Sequence, residues 1–447
     1  MRITTLLGSL LLFNTAVQAS FFYVSQEEPI AAALPLKALT RKASTFSCGV
    51  SRTQGINSYS STGSRVPFLE QYGTANIADI YNGLTPRSGG FSERYFSTTG
   101  SQSLVNMTDA EDTPYTRANA LLRFTDSYNS YSFNSYHLAF SHYLFSGLYF
   151  RVHAQLTDQV LFQKASASGP DADSTRVQSF ISYIDQFLGE NSLPALSYSH
   201  RQLSLERLGY CLGWIGEAPL KESMFQEVSG GLLACYTFAP THFDHPLAPE
   251  FLLHAVTHSY TGQAHLGVQI NNHLAANTTA SATIYERYKD SMHVVRDDLN
   301  STTFFAGPPL LGKGIVMKNP GTLWVFEASV SANRFYGLYC TGGYHFSYQE
   351  ATQLTLQDTT ILRGSSWSGT PLSNLPGQQN ARLNADPRLQ NWKNHAVFIK
   401  AGFSPSKEHH LIPEIEFGIY FPVLGHRSVA PSRVYTGNGQ LSIRWTF

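Results

Sequence analysis

Arg123, Arg151, His153, His265, Gln269, Glu327, Lys400, Glu414, Glu416 and Arg444 each sit in segments where polar and apolar residues alternate. Turned toward one lumen, they would line a channel. Because both charge signs are present, they would set a field across a constriction rather than admit ions of a single sign. The same groups could instead brace a barrel wall by pairing across it, and residue type alone does not choose between the two. Other candidate chemistry is thinner. His242, Asp244, His245, His254 and His258 lie close in sequence, and His254 and His258 have the i, i+4 spacing that binds metal on a helix. Pro246 and Pro249 interrupt that region and no acid takes the base position, so these histidines are read as exposed loop residues. His409-His410 is read as a turn and Asp171-Ala172-Asp173 as a solvated turn without the glycine and distal Glu of a calcium loop. There is no nucleophile elbow and no phosphate-binding loop. The reading assigns no catalytic residue, metal or cofactor.

These side chains must be positioned by strands. In Leu148 to Leu156, residues Leu148, Phe150, Val152, Ala154 and Leu156 alternate with Tyr149, Arg151, His153 and Gln155, a separation that a strand makes and a helix would blur. Ser146-Gly147 joins this segment to Tyr136–Phe145 as the two-residue connection of a tight hairpin. The pattern returns in Ala264–Asn271, Trp324–Ser331, His395–Gly402 and Glu414–Phe421. Other candidates are Ala118–Thr125, Leu203–Ile215, Val228–Phe238, Thr279–Tyr288 and Phe335–Phe346. Counting generously gives about sixteen strands, and we take about fourteen, with twelve or sixteen as neighbours. A soluble β-sandwich also alternates. Here, however, the strands are long, their polar faces favour small, hydroxylated residues and Gly, and aromatics gather at strand ends, as in Tyr344-His345-Phe346-Ser347-Tyr348.

Composition agrees. Of 447 residues only 14% are charged and 13% are aromatic, with equal numbers of basic and acidic residues. That is too little charge for an ordinary soluble surface, and the missing basic excess excludes a phosphate-tracking, nucleic-acid-binding protein. Arg2, the apolar stretch Leu6 to Phe13 and Val17-Gln18-Ala19 read as a secretory leader over residues 1–19, too short to span a bilayer. Cys48, Cys211, Cys235 and Cys340 form no C-x-x-C pair. A Cys211–Cys235 bridge is open to the sequence, but small buried thiols are the favoured reading.

The final segment, Gln440 to Phe447, places Leu441, Ile443, Trp445 and Phe447 on one face and ends on Phe. Here the sequence resembles bacterial outer-membrane β-barrel proteins. The resemblance implies that these four residues are read by the barrel-assembly machinery. It further implies outer-membrane lipid and small solutes as the other partners. It picks out no subfamily, since neither a sugar-porin fingerprint nor the N-terminal Asn-Pro-Ala element of fatty-acid transporters is present. The expected architecture is an all-β antiparallel transmembrane barrel with long outer loops. Its main part covers residues 116–447, after a poorly patterned 20–115 segment that supplies a plug, early strands or both. Arg176–Leu188 is expected as a short helix in or over the pore mouth, or packed on a neighbouring loop, and Gln357–Asn394 as an exposed loop. The expected function is passive passage of small solutes. The rivals are a filled barrel that displays adhesive loops and a transporter of hydrophobic compounds.

Overall fold

The computed structural model describes residues 43–59, 65–67, 75–76, 121–124, 130–163, 165–170, 198–220, 225–238, 258–271, 273–295, 311–333, 337–358, 391–404, 411–426 and 429–444, with a few isolated positions between. The wall strands are β1 (Ala43–Tyr59), β5 (Ser130–Phe145), β6 (Leu148–Gln163), β8 (Tyr198–Pro219), β9 (Glu227–Phe238) and β10 (Ser259–Gln269), followed by β11 (Leu274–Tyr285), β14 (Leu323–Asn333), β15 (Leu338–Gln349), β17 (Trp392–Phe403), β18 (Leu411–His426) and β19 (Val429–Arg444). Each pairs antiparallel with its neighbour in this order, and β19 pairs back onto β1 from Ala43↔Arg444 to Ser58↔Val429. The sheet is therefore a closed cylinder of twelve strands.

The expected fourteen strands are corrected to twelve, and the reason is physical. Alternation signals a strand but not the sheet that it joins. Of the remaining strands, β2 (Arg65–Pro67) folds back on β1, while β3 (Ala75–Asn76), β4 (Leu121–Phe124) and β7 (Ala165–Ser168) form one small sheet. A second small sheet contains β12 (Tyr288–Val295), β13 (Leu311–Asn319) and β16 (Gln353–Asp358), with Val316, Leu354 and Leu356 buried in it. The candidate Ala118–Thr125 thus yields a strand that is not part of the wall.

Connections differ at the two ends. At the end that holds Ala43 and Arg444, the β5–β6 link is Ser146-Gly147, both with positive φ (48° and 86°), the left-handed pair that a type I′ hairpin requires. A side chain on Gly147 would collide with the Ile215 carbonyl at 2.1 Å, so only glycine fits there. The β10–β11 turn is closed by the Asn271 side-chain carbonyl, which accepts from the His273 and Leu274 amides at 2.8 Å. At the other end the chain between β1 and β5, between β6 and β8 and between β15 and β17 runs over residues 60–129, 164–197 and 350–391. Within Arg176–Leu188 only Gln178 and Ser182 are described. Both are helical, and the Ser182 hydroxyl donates to the Gln178 carbonyl. The rest of that stretch and most of 357–394 lie outside the described residues, although Gln357, Asp358 and Trp392–Asn394 belong to β16 and β17.

The burial pattern is inverted relative to a soluble protein. Phe417, Ile399, Leu266 and Trp324 are about half exposed or more, at 58%, 59%, 52% and 48%. Ser51, Ser135, Arg151, His345 and Asn394 are buried. In β17 the burial alternates residue by residue, with Asn394, Ala396, Phe398 and Lys400 inside and Val397, Ile399 and Ala401 outside. Apolar side chains outside and polar ones inside satisfy water and lipid only when the outside faces acyl chains. Trp324 and Tyr348 pair near one rim and Trp214 lies near the other, consistent with interfacial aromatic belts.

Candidate functional site: a charge-divided lumen

The inward positions are those in phase with Arg151, and the ladders carry that phase around the ring. On one side Ser141 faces Arg151, Ala139 faces His153 and His137 faces Gln155, and Gln155 in turn faces Arg207 of β8. His137, Arg151, His153 and Arg207 are all buried. The Arg151 and Arg207 guanidinium groups lie within electrostatic reach of both imidazoles. His137 Nε2 and the Ser135 hydroxyl are 2.9 Å apart, and His153 Nδ1 lies 3.6 Å from Cys211 Sγ. Gly209 opposite His153 and Gly213 opposite Tyr149 leave room for those rings to lie over the backbone. A Cβ at either glycine would come within 2.4 Å of the ring.

Cys211 and Cys235 face each other across β8 and β9 and form a disulfide. This corrects the expectation of free thiols. The cysteines lie 24 residues apart in sequence, and the β8–β9 register puts their inward side chains side by side, deciding for the bridge that the sequence left open. Cys48 and Cys340 are free thiols.

The opposite wall is acidic around one lysine. Lys400 Nζ is 3.9 Å from both Glu327 Oε1 and Glu416 Oε1, and His345 Nδ1 is 3.9 Å from Glu327 Oε2. Lys400 also lies over the Phe398 ring at 4.8 Å and the Tyr420 ring at 5.4 Å, contacts that suit a desolvated ammonium. The Tyr339 hydroxyl is 3.1 Å from Glu414 Oε1 and 3.2 Å from Glu416 Oε2, and Asn438 donates to Glu416 Oε1 at 3.3 Å. These residues come from β14, β15, β17, β18 and β19. In ring order β6 and β15 stand opposite each other, so the basic group and the acidic group face across the cylinder.

Of the residues singled out in the sequence, Arg151 and His153 join the basic wall and Glu327, Lys400, Glu414 and Glu416 the acidic one. His265 and Gln269 lie on the β10 face between them, His265 Nδ1 contacting the Thr279 hydroxyl at 3.1 Å. Arg123 sits in β4, off the wall, and Arg444 pairs through its backbone with Ala43 at the rim. Leu441 and Ile443 continue β19 toward that rim. The side chains of Arg123, Arg444 and Ile443, and residues Trp445 and Phe447 altogether, lie outside the described residues. His258 is described and stacks on Tyr236 with ring centroids 5.9 Å apart, whereas His242, Asp244, His245 and His254 lie outside the described residues. Missed by the sequence reading were His137, Arg207, Tyr339, His345 and Asn438. The first four stand inside recognised segments on the inward phase, so carrying one parity through those segments finds them.

A closed antiparallel cylinder with an apolar outside and a polar inside is the architecture of the outer-membrane β-barrels, and this chain has that fold. Solved structures with similar folds include an outer-membrane channel of Pseudomonas putida F1. It is 10% identical over 90% of this chain and 95% of that one, with a TM-score of 0.42. The Pseudomonas putida toluene transporter TodX is 6% identical over 96% of each chain, with a TM-score of 0.34. A FadL homologue of Pseudomonas aeruginosa is 8% identical over 96% of each, with a TM-score of 0.31. No protein-family model and no curated protein sequence matches the chain.

Proposed function

We propose that this barrel is a non-enzymatic channel in the bacterial outer membrane through which small polar solutes pass down their gradient. The observation that carries the reading is the division of the lumen. Arg151 of β6 and Arg207 of β8 face carboxylates from β14 and β18, with polar residues between them. A passing solute with charge or a strong dipole is oriented by such a field, while an apolar one gains nothing from it. The lumen thus favours polar cargo over the hydrophobic-compound transporter. In the same reading residues 1–19 are a removed leader. Leu441, Ile443, Trp445 and Phe447 present the final strand to the assembly machinery, and the end with the longer connections faces outward.

Reconstitution into planar bilayers tests it. The expected result is stepwise conductance with a reversal potential that shifts when Glu327 and Glu416 are changed to Gln. A bilayer that stays sealed at high protein loading, with the barrel shown to be inserted, refutes the channel.

A further inference from the structure

The two walls treat their charges differently. Lys400 is met by two carboxylates, but Arg151 is 1% exposed and its Nε, Nη1 and Nη2 atoms have no hydrogen-bond partner. No carboxylate stands among the described inward side chains around it, at Thr45–Ser51, Ser135–Ser141, Tyr149–Thr157, Arg207–Ile215 and Gly231–Thr237. What surrounds it is more positive charge and more donors: Arg207, His137 and His153, with the His137 Nδ1 atom also lacking a hydrogen-bond partner. A desolvated guanidinium without a counter-charge is strongly unfavourable, and clustering a second cation beside it adds repulsion. Such a cluster becomes favourable when two oxygens of an anion lie in the planar fork of the arginine.

We infer that Arg151, Arg207, His137 and His153 form an oxyanion-binding site on the basic wall of the lumen, taking a carboxylate or phosphate group of a small solute. This deepens the channel reading by naming the charge of the cargo. Tyr149 and the Cys211–Cys235 bridge flank Arg151 along and across the wall.

The test uses the full-length barrel in detergent micelles. Its thermal unfolding midpoint is followed while sodium phosphate or sodium acetate replaces sodium chloride at constant ionic strength. The wild-type midpoint is expected to rise saturably with phosphate, acetate or both, and the two arms separate the phosphate preference from the carboxylate one. Arg151→Lys should keep a weaker response. Arg151→Gln should lose it, yet unfold in chloride at a midpoint no lower than wild type, because an unpaired charge has been removed. A wild-type midpoint that does not distinguish phosphate and acetate from chloride overturns the site, as does an unchanged response in Arg151→Gln. A fall in the chloride midpoint of Arg151→Gln also overturns it, showing that Arg151 is a brace. Because micelles require no conduction, a barrel that binds phosphate but passes no current refutes the channel and keeps the site. Conductance without any midpoint shift does the reverse.

Discussion

An arginine placed along the outside of β17 tests which solvent the barrel faces. The twelve-residue strand Trp392–Phe403 rises about 3.3 Å per residue and, tilted about 40°, spans roughly 28 Å along the membrane normal, close to the ~25 Å apolar band of such barrels. Ile399 lies about 4 Å from the middle of that span and Phe403 about 14 Å, both on the outward phase, at 59% and 41% exposed. Ile399→Arg is therefore expected to destabilise by about 2–4 kcal/mol and Phe403→Arg by about 0–1 kcal/mol, a difference of roughly one to three decades in the folding equilibrium. Reversible guanidinium unfolding from lipid vesicles, read by tryptophan fluorescence, measures both. In a water-facing sheet an arginine at either exposed site would stay within about 0.5 kcal/mol of wild type. Equal, small effects at Ile399 and Phe403 would refute the assignment of this face to lipid.

Three more outcomes follow from inward packing. Gly342 and Gly343 are adjacent but face opposite ways. A Cβ at Gly343 would lie 2.3 Å from the buried Phe398 ring, and one at Gly342 meets nothing within 4 Å. Gly343→Ala should cost about 1–3 kcal/mol and Gly342→Ala should stabilise by up to about 1 kcal/mol in the same unfolding assay. Replacing Cys211 and Cys235 together by Ser, a bridge closing a 24-residue separation, should lower stability by about 3.5 kcal/mol on the chain-entropy account. Reduction of the wild type should match the variant, and an unchanged midpoint would contradict a structural role. Lys400→Met should destabilise by about 2–4 kcal/mol by leaving part-buried carboxylates uncompensated. Adding Glu327→Gln to it should recover part of the loss, and strict additivity in that cycle would show the pair to be uncoupled.

Sequence periodicity exposed the wall because lipid and lumen impose opposite demands on successive residues. Phe150, Val152, Arg151 and His153 were separable by parity alone. Strand number was not, since β4, β12, β13 and β16 have the local character of strands and only long-range pairing assigns them to small sheets. The charge signs were legible, but the division of the lumen was not. Arg151 and Glu327 fall on opposite sides because of ring order, and ring order is a property of closure. The Cys211–Cys235 bridge was open to the sequence but not decided by it, because register across the β8–β9 hairpin sets whether the two thiols meet.

Joining the first strand to the last along almost the whole of β1 uses up the main-chain donors and acceptors that an open sheet would offer at its margins. Strand addition at that seam is thereby foreclosed, both to a second copy and to an extended peptide. Contact between copies within the bilayer would have to be made by side chains. The outward groove of about 700 Å³ between Leu212, Trp214 and Leu232 on one flank and Trp324, Phe326 and Phe346 on the other, floored by Ala264 and Ala280, then becomes a place where an acyl tail can seat against small residues.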